Sequence, residues 1–258
     1  MTDVTFGAPL ERELARLESA PFYMTRRFLR GVAVAAAGIP ATVYDPECRR
    51  CPRLAAFLDA VRTEHPHYHC RPVPSFGAAD AQLVIVGLAP GMHGANATGR
   101  PFTGDYAGIL LYATLFKFGF ATRPNACSAD DGLRLNNARI TNAVKCLPPG
   151  NKPQPAEIRQ CNAYLTAELS TLPAGAAVLV LGRIAHDAAL RAFGLPPGGY
   201  AFGHGAEHAI ERGARLFDSY HCSRYNTNTG RLTTAMFEQV FVAITRHLAR
   251  ERTATGVA

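Results

Sequence analysis

The sequence predicts an α/β protein: a three-layer αβα sandwich around a central four-stranded, mostly parallel sheet. Three observations carry this. Short apolar runs of strand length alternate with helix-length segments, the first of them, QLVIVG, is apolar and runs straight into a glycine loop, and glycine-rich or polar loops follow the strand ends. Strands apolar on both faces belong to parallel sheets covered by helices on either side. In such sheets ligands gather at the C-terminal ends of the strands.

Residues 1–43 read as a helical lead-in, with helix formers and spaced apolar positions in ERELARLESA. Within it, TRRFLRGVAVAAAGIPA (25–41) places paired arginines before a short apolar run, loosely like a twin-arginine export signal. The run is too short to span a membrane and reads as an amphipathic or buried segment. A mature N-terminus near Thr42 would overturn that reading. A helix follows in PRLAAFLDAVRTE (52–64), then a loop, HPHYHCRPVPSFG, in which His65, His67 and His69 alternate. Such a stretch can bind metal, but in a Pro-rich loop it is more often solvated surface. The strands are QLVIVG (82–87), ARITNAV (138–144), AAVLVLG (176–182) and RLFDSYH (215–221). The helices between and after them are 108–120, 155–172, 183–194 and 233–251. With no repeat, low-complexity tract or boundary signal, the chain is expected to be a single domain over 1–258.

A length of 258 residues suits one α/β domain with a full core, and 48% hydrophobic against 18% charged residues is an ordinary globular balance. The net charge of +7 points to a polyanionic partner. Seven cysteines are too few and too unevenly spaced for a disulfide scaffold, which favours an intracellular protein with a metal site. Cys48 and Cys51 form C-x2-C; Cys146 and Cys161 form a second pair almost a hundred residues later. Thiolates gathered from distant points of one chain bind a soft centre, either zinc or an iron–sulfur cluster.

Three loops carry the remaining chemistry. GLAPGMHGANATGRPFTGD (87–105) follows a strand, and its glycines suit close backbone approach to a phosphate or a flat ring. Pro90 interrupts any dinucleotide fingerprint and no G-K-[ST] follows, while Phe102 and Asp105 stand where a bound ligand would meet them. In TNAVKCLPPGNKP (141–153), Asn142 sits near a strand end, four residues before Cys146. Its amide offers a donor and an acceptor, which suits the Watson–Crick edge of a base, or it caps a turn. Lys145 and Lys152, with the prolines, read as a stiff basic loop. In HCSRYNTNTGRLT (221–233), His221 can donate to a developing anion. Ser223, Arg224, Asn226, Thr229 and Arg231 suit a phosphate backbone.

Together with the paired cysteines, these three motifs resemble the iron–sulfur branch of the uracil-DNA glycosylase superfamily, closest to family 5, the UDGb type, over residues 44–250. The resemblance implies a 4Fe–4S cluster on Cys48, Cys51, Cys146 and Cys161, with Cys70, Cys127 and Cys222 as non-ligands. It implies excision of uracil from DNA, extending to other deaminated bases such as hypoxanthine. Phe102 would stack on the flipped base, Asn142 would read its edge, His221 would face the departing pyrimidine oxygen, and Gly87, Ala89 and Gly91 would line the pocket. Family 4 carries an acidic residue directly after the first glycine and family 1 an aspartate one position further on. Here those positions are Leu88 and Ala89, as is usual for family 5, which leaves Asp105 to orient water. Cys222 stands where many relatives have proline. Ser223, Arg224, Tyr225, Asn226 and Arg231 would grip DNA, with Arg224 or Tyr225 as the wedge. The expected protein is a cytoplasmic monomer acting at the nucleoid, with no membrane partner. The alternatives are a family 4-like, uracil-specific enzyme, a zinc-stabilised nucleic-acid-binding module without catalysis, and a nucleotide-binding α/β enzyme.

Overall fold

The computed structural model describes residues 44–255; the lead-in 1–43 and its arginine pair lie outside the described residues. The helices are α1 (Pro52–Glu64), α2 (Ala95–Thr98), α3 (Tyr106–Lys117), α4 (Pro155–Ser170), α5 (Arg183–Ala192), α6 (Arg224–Asn228) and α7 (Thr234–Thr255). The strands are β1 (Phe76–Gly77), β2 (Leu83–Gly87), β3 (Ala138–Asn142), β4 (Ala177–Leu181), β5 (Glu207–Ala209) and β6 (Arg215–Ser219). They form one sheet in the order β1-β3-β2-β4-β6-β5.

The expected count of four strands is therefore corrected to six. The four anticipated strands, β3, β2, β4 and β6, are contiguous and parallel, and β1 and β5 add antiparallel edges. Those edges are two and three residues long and partly exposed, so they carry no apolar run to read. Two of the three polar loops also hold a turn of helix each, α2 and α6, too short to show periodicity.

Alternation along the strands divides the core between two helical layers. Leu83 and Ile85 of β2 and Leu179 of β4 pack with Leu111 and Leu115 of α3 and Phe237, Phe241 and Ile244 of α7. Val84, Val86, Val178 and Val180 point the other way, against Leu54 and Leu58 of α1, Leu165 of α4 and Ala185 of α5. Each such side chain contributes about 1.5–3 kcal/mol by leaving water. β2 leaves toward the α3 layer, while its neighbour β3 leaves toward the α4 layer. The two connections diverge, and a crevice opens at the C-terminal ends between them.

A buried tie holds β6 in place. Asp218, without exposed surface, lies 2.7 Å from His186 Nδ1 and 3.3 Å from His208 Nε2, and accepts from the Gly203 N–H at 3.1 Å. His186 Nε2 faces the Tyr200 carbonyl at 3.0 Å. Among the described residues this is the one group of three potential metal ligands with donor atoms within 4.8 Å of one another. Protein partners occupy both ring nitrogens of His186 and both Asp218 oxygens, so the group works as a cross-link between α5, β5 and β6. No described helix is long and apolar enough to cross a membrane.

Candidate active site

The crevice is a cavity of about 340 Å³, walled by the loop after β2, the end of β3 and the loop after β6. Parallel pairing sets its back wall: Gly87 is in register with Asn142, and the ladder continues past the strands through Ala143 N–H to Gly87 O (2.9 Å) and Val144 N–H to Leu88 O (3.0 Å). A Cβ on Gly87 would overlap both the Asn142 amide and the Phe102 ring. Only hydrogen at that position lets the two side chains converge.

Asn142 is 3% exposed, and its Oδ1 has no hydrogen-bond partner. A buried acceptor left unpaired costs about 1–3 kcal/mol; the Asn142 side chain lines the cavity. Phe102 adopts a left-handed backbone, φ 58°, and its carbonyl lies where a Cβ on residue 108 would stand, so Gly108 is required there. The Phe102 ring faces that of His221, centroids 6.1 Å apart and planes 29° apart. Its strained backbone is held by the surrounding packing, a pattern common in binding sites.

Asp105 ends the first loop immediately before α3. Its carboxylate accepts from the Ala95 N–H at 3.1 Å, and a Cβ on Gly91 or Gly94 would overlap it. Burial raises its pKa above the ordinary carboxylate value, against the pull of the Ala95 and Gly91 amides. Burial alone pushes the His221 imidazole down to about 4, so at neutral pH the ring is uncharged and donates from one nitrogen only. Cys222 behind it has no exposed surface, and burial pushes its thiol up to about 12.

The third loop is divided. Ser223 and Arg224 reach the cavity wall; Ser223 caps α6 by accepting from Asn226 N–H, and the Arg224 guanidinium lies 4.8 Å over the Tyr106 ring. Asn226 donates to the His221 carbonyl at 2.8 Å, so it braces the loop instead of facing the cavity. Tyr225 stands 71% exposed, and the Arg231 guanidinium rests over the Tyr220 ring.

Cys48, Cys51, Cys146 and Cys161 line a second, small cavity between α1, α4 and the loop after β3. The Lys145 N–H points at Cys161 Sγ (3.2 Å) and Arg50 Nε at Cys48 Sγ (3.5 Å), donors of the kind that stabilise thiolate ligands. Burial, then the neighbouring Cys161, Cys48 and Cys51, push the Cys146 thiol upward. Four thiols gathered from separate segments into one cavity are the donor set of a soft metal centre, zinc or an iron–sulfur cluster. Cys70, Cys127 and Cys222 are not part of this cavity.

The profile of the family described as the uracil DNA glycosylase superfamily matches residues 74–245. A type-5 uracil-DNA glycosylase of Thermus thermophilus is 46% identical over 206 residues, covering 77% of this chain and 93% of that protein. Another type-5 uracil-DNA glycosylase, from Pyrobaculum aerophilum, is 42% identical over 197 residues, covering 75% of this chain and 85% of that protein. The chain belongs to the uracil-DNA glycosylase superfamily, in its type-5 group. A type-4 uracil-DNA glycosylase of Archaeoglobus fulgidus is similar over a shorter stretch, 34% identical across 54% of this chain.

In this superfamily member the carboxylate lining the cavity comes from Asp105 at the start of α3, while Leu88 and Ala89 line it from the strand end. Tyr106 and Asn151 also line it and were not anticipated. Asn151 sits in the Pro-Gly-Asn turn with φ 57°, and only that turn chemistry hinted at it. The reading of Lys145 as part of a stiff basic loop is corrected, since its charge is buried. Its side chain is 2% exposed and paired with the equally buried Glu168 at 2.9 Å, and it also donates to Thr141. The ammonium turns inward because Glu168 of α4 supplies a buried counter-charge that single-sequence reading cannot locate. His65, His67 and His69 do not converge: His65 stacks on Tyr68, His69 Nε2 faces the Pro72 carbonyl, and His67 is exposed.

Proposed function

We propose that this protein is a monofunctional DNA glycosylase that flips uracil out of DNA and hydrolyses its N-glycosidic bond, opening base-excision repair. The observation that carries the reading is the unpartnered Oδ1 of Asn142 at the back of a cavity bordered by Phe102 and His221. Uracil presents an N–H donor beside a carbonyl, the complement of a side-chain amide, whereas the bare N3 of cytosine leaves Oδ1 unpaired. Hypoxanthine presents the same donor–carbonyl pair, so the site extends to deaminated purines. Phe102 stacks on the base, and the backbone at Ala89 and Gly91 completes the slot.

As the bond breaks, the sugar gains positive charge and the base leaves as an anion. His221, neutral because burial disfavours its protonation, donates a hydrogen bond to the pyrimidine oxygen. Asp105, in its ionised form, orients the water and offsets the charge on the sugar. Ser223, Arg224, Tyr225 and Arg231 form the strand-gripping lip, braced by Asn226, with Arg224 or Tyr225 entering the space the base leaves. Cys48, Cys51, Cys146 and Cys161 would hold a 4Fe–4S cluster with a structural contribution, tying the segment before α1 to α4 and to the loop that follows Asn142. Residues 44–255 act as one domain, a monomer working on the cytoplasmic nucleoid.

The test is base release from duplexes carrying one uracil or one hypoxanthine, followed by alkali. Cleavage of both establishes the tolerant pocket; cleavage of uracil alone narrows it to a type-4-like range; intact duplexes with a brown, iron- and sulfide-containing protein reject catalysis. A colourless protein holding one zinc would reject the cluster.

A further inference from the structure

Beside the base pocket lies a second cavity of about 410 Å³, between α3 and the loop at residues 124–127. The two share Asp105, Tyr106 and Arg224, with the guanidinium laid over the Tyr106 ring at their boundary. The floor of the second cavity is the outer face of α3, with Tyr106, Ile109 and Ala113 at helical spacing, and Phe116 continues this solvent-facing row beyond the cavity. Ile109 is 65% exposed and Phe116 47%. Single exposed apolar residues need no explanation, but a row of them on one helix face, starting at the mouth of a ligand pocket, marks a contact surface.

We propose that this groove receives the nucleobase of a nucleotide adjoining the flipped one on the same strand. The inference rests on the base-excision reading of the first pocket. If a base enters that pocket, its neighbour is tethered to it by one phosphate and must lie at the mouth. On the α3 side it meets an apolar floor for its ring face and the Arg224 cation for its phosphate. The groove thereby makes excision sensitive to the adjoining base through stacking, without reading its hydrogen-bonding edge.

The experiment is a cycle between protein and substrate. Single-stranded uracil oligonucleotides are prepared with the adjoining nucleotide on each side in turn replaced by an abasic spacer that keeps the phosphates. For the unmodified protein, the spacer on one side should raise KM about tenfold, the scale of one lost base-stacking contact. In the variants Ile109→Asp and Ala113→Trp, which alter solvent-facing positions, KM for the intact oligonucleotide should rise by the same factor. The spacer should then add no further effect. kcat and inhibition by free uracil, which fills only the base pocket, should stay within about twofold, inside the scatter of independent sites. Wild-type KM in both variants, or spacer and variant effects that multiply, would overturn the groove. Failure of the unmodified protein to release uracil from any oligonucleotide would overturn the base-excision reading and the groove with it.

Discussion

The back wall of the base pocket and its outer lip are built on opposite principles. Gly87, Phe102 and Asn142 are buried, fixed by strand register, a left-handed residue and a glycine that admits no Cβ. The lip is α6, a single exposed helical turn, capped by Ser223 and braced to His221 through Asn226. Groups that touch the reacting bond must keep sub-ångström geometry, whereas groups that grip a flexible polyanion gain little from rigidity. Disturbing the wall should therefore alter the chemical step, and disturbing the lip should alter binding.

The sharpest way to break that division is at Asp105. Asp105→Asn should lower kcat by a hundredfold or more, about the range of a positioned acid–base group, with duplex affinity held. Gly94→Ala leaves the carboxylate in the sequence but puts a methyl group where it sits, so it should approach the same loss, about a hundredfold for a displaced catalytic group. Near wild-type turnover in Gly94→Ala would show that the carboxylate does not need its present position.

Asn142→Leu separates function from stability. Removing an unpartnered buried acceptor should stabilise the empty protein by about 1 kcal/mol, seen as a rise of a few degrees in Tm. kcat/KM for uracil should fall about a hundredfold, the scale at which a site loses a hydrogen bond to its substrate. A lower Tm would mean that Asn142 supports the fold as well as the ligand.

The pH profile distinguishes two residues of the same site. Asp105 works ionised, and burial raises its pKa, so activity should fall with acid at a pH above the ordinary carboxylate value of about 4. That limb should vanish from the residual activity of Asp105→Asn and persist in His221→Gln. His221 instead marks stability. The unfolded chain takes up its proton near the ordinary imidazole value and the folded chain only at about 4, so stability declines as pH drops between the two. His221→Gln should remove that decline in acid-dependent unfolding.

How much of this was legible follows from which forces leave a local trace. The four parallel strands announced themselves because both faces are buried, and the first loop because Gly87, Phe102 and Asp105 share one short motif. The reversal of strand order at β2 and the pairing of Lys145 with Glu168 left none, since each depends on segments brought together only by folding. The same holds for the Asp218 cross-link, whose partners His186 and His208 lie 32 and 10 residues away. Motif resemblance supplied roles for Asn142 and His221. Only the coordinates showed that one has an unsatisfied oxygen and that the other is buried where its charged form is disfavoured.

The smallest effects belong to the lip and complete the comparison. Arg224→Ala removes a cation that lies over Tyr106 at the cavity edge. It should weaken DNA binding a few-fold regardless of sequence and reduce the slope of log affinity against log salt by about one. The single-turnover rate at saturating enzyme should barely move, because the wall that meets the bond is untouched. Tyr225, 71% exposed, has no packing role to lose, so Tyr225→Ala reports wedging alone. Excision from duplex DNA should slow about tenfold while excision from single-stranded DNA is unchanged, since only paired bases need displacement. Equal slowing on both substrates would transfer Tyr225 from wedge to strand grip, and a matching result for Arg224 would place the wedge elsewhere on α6.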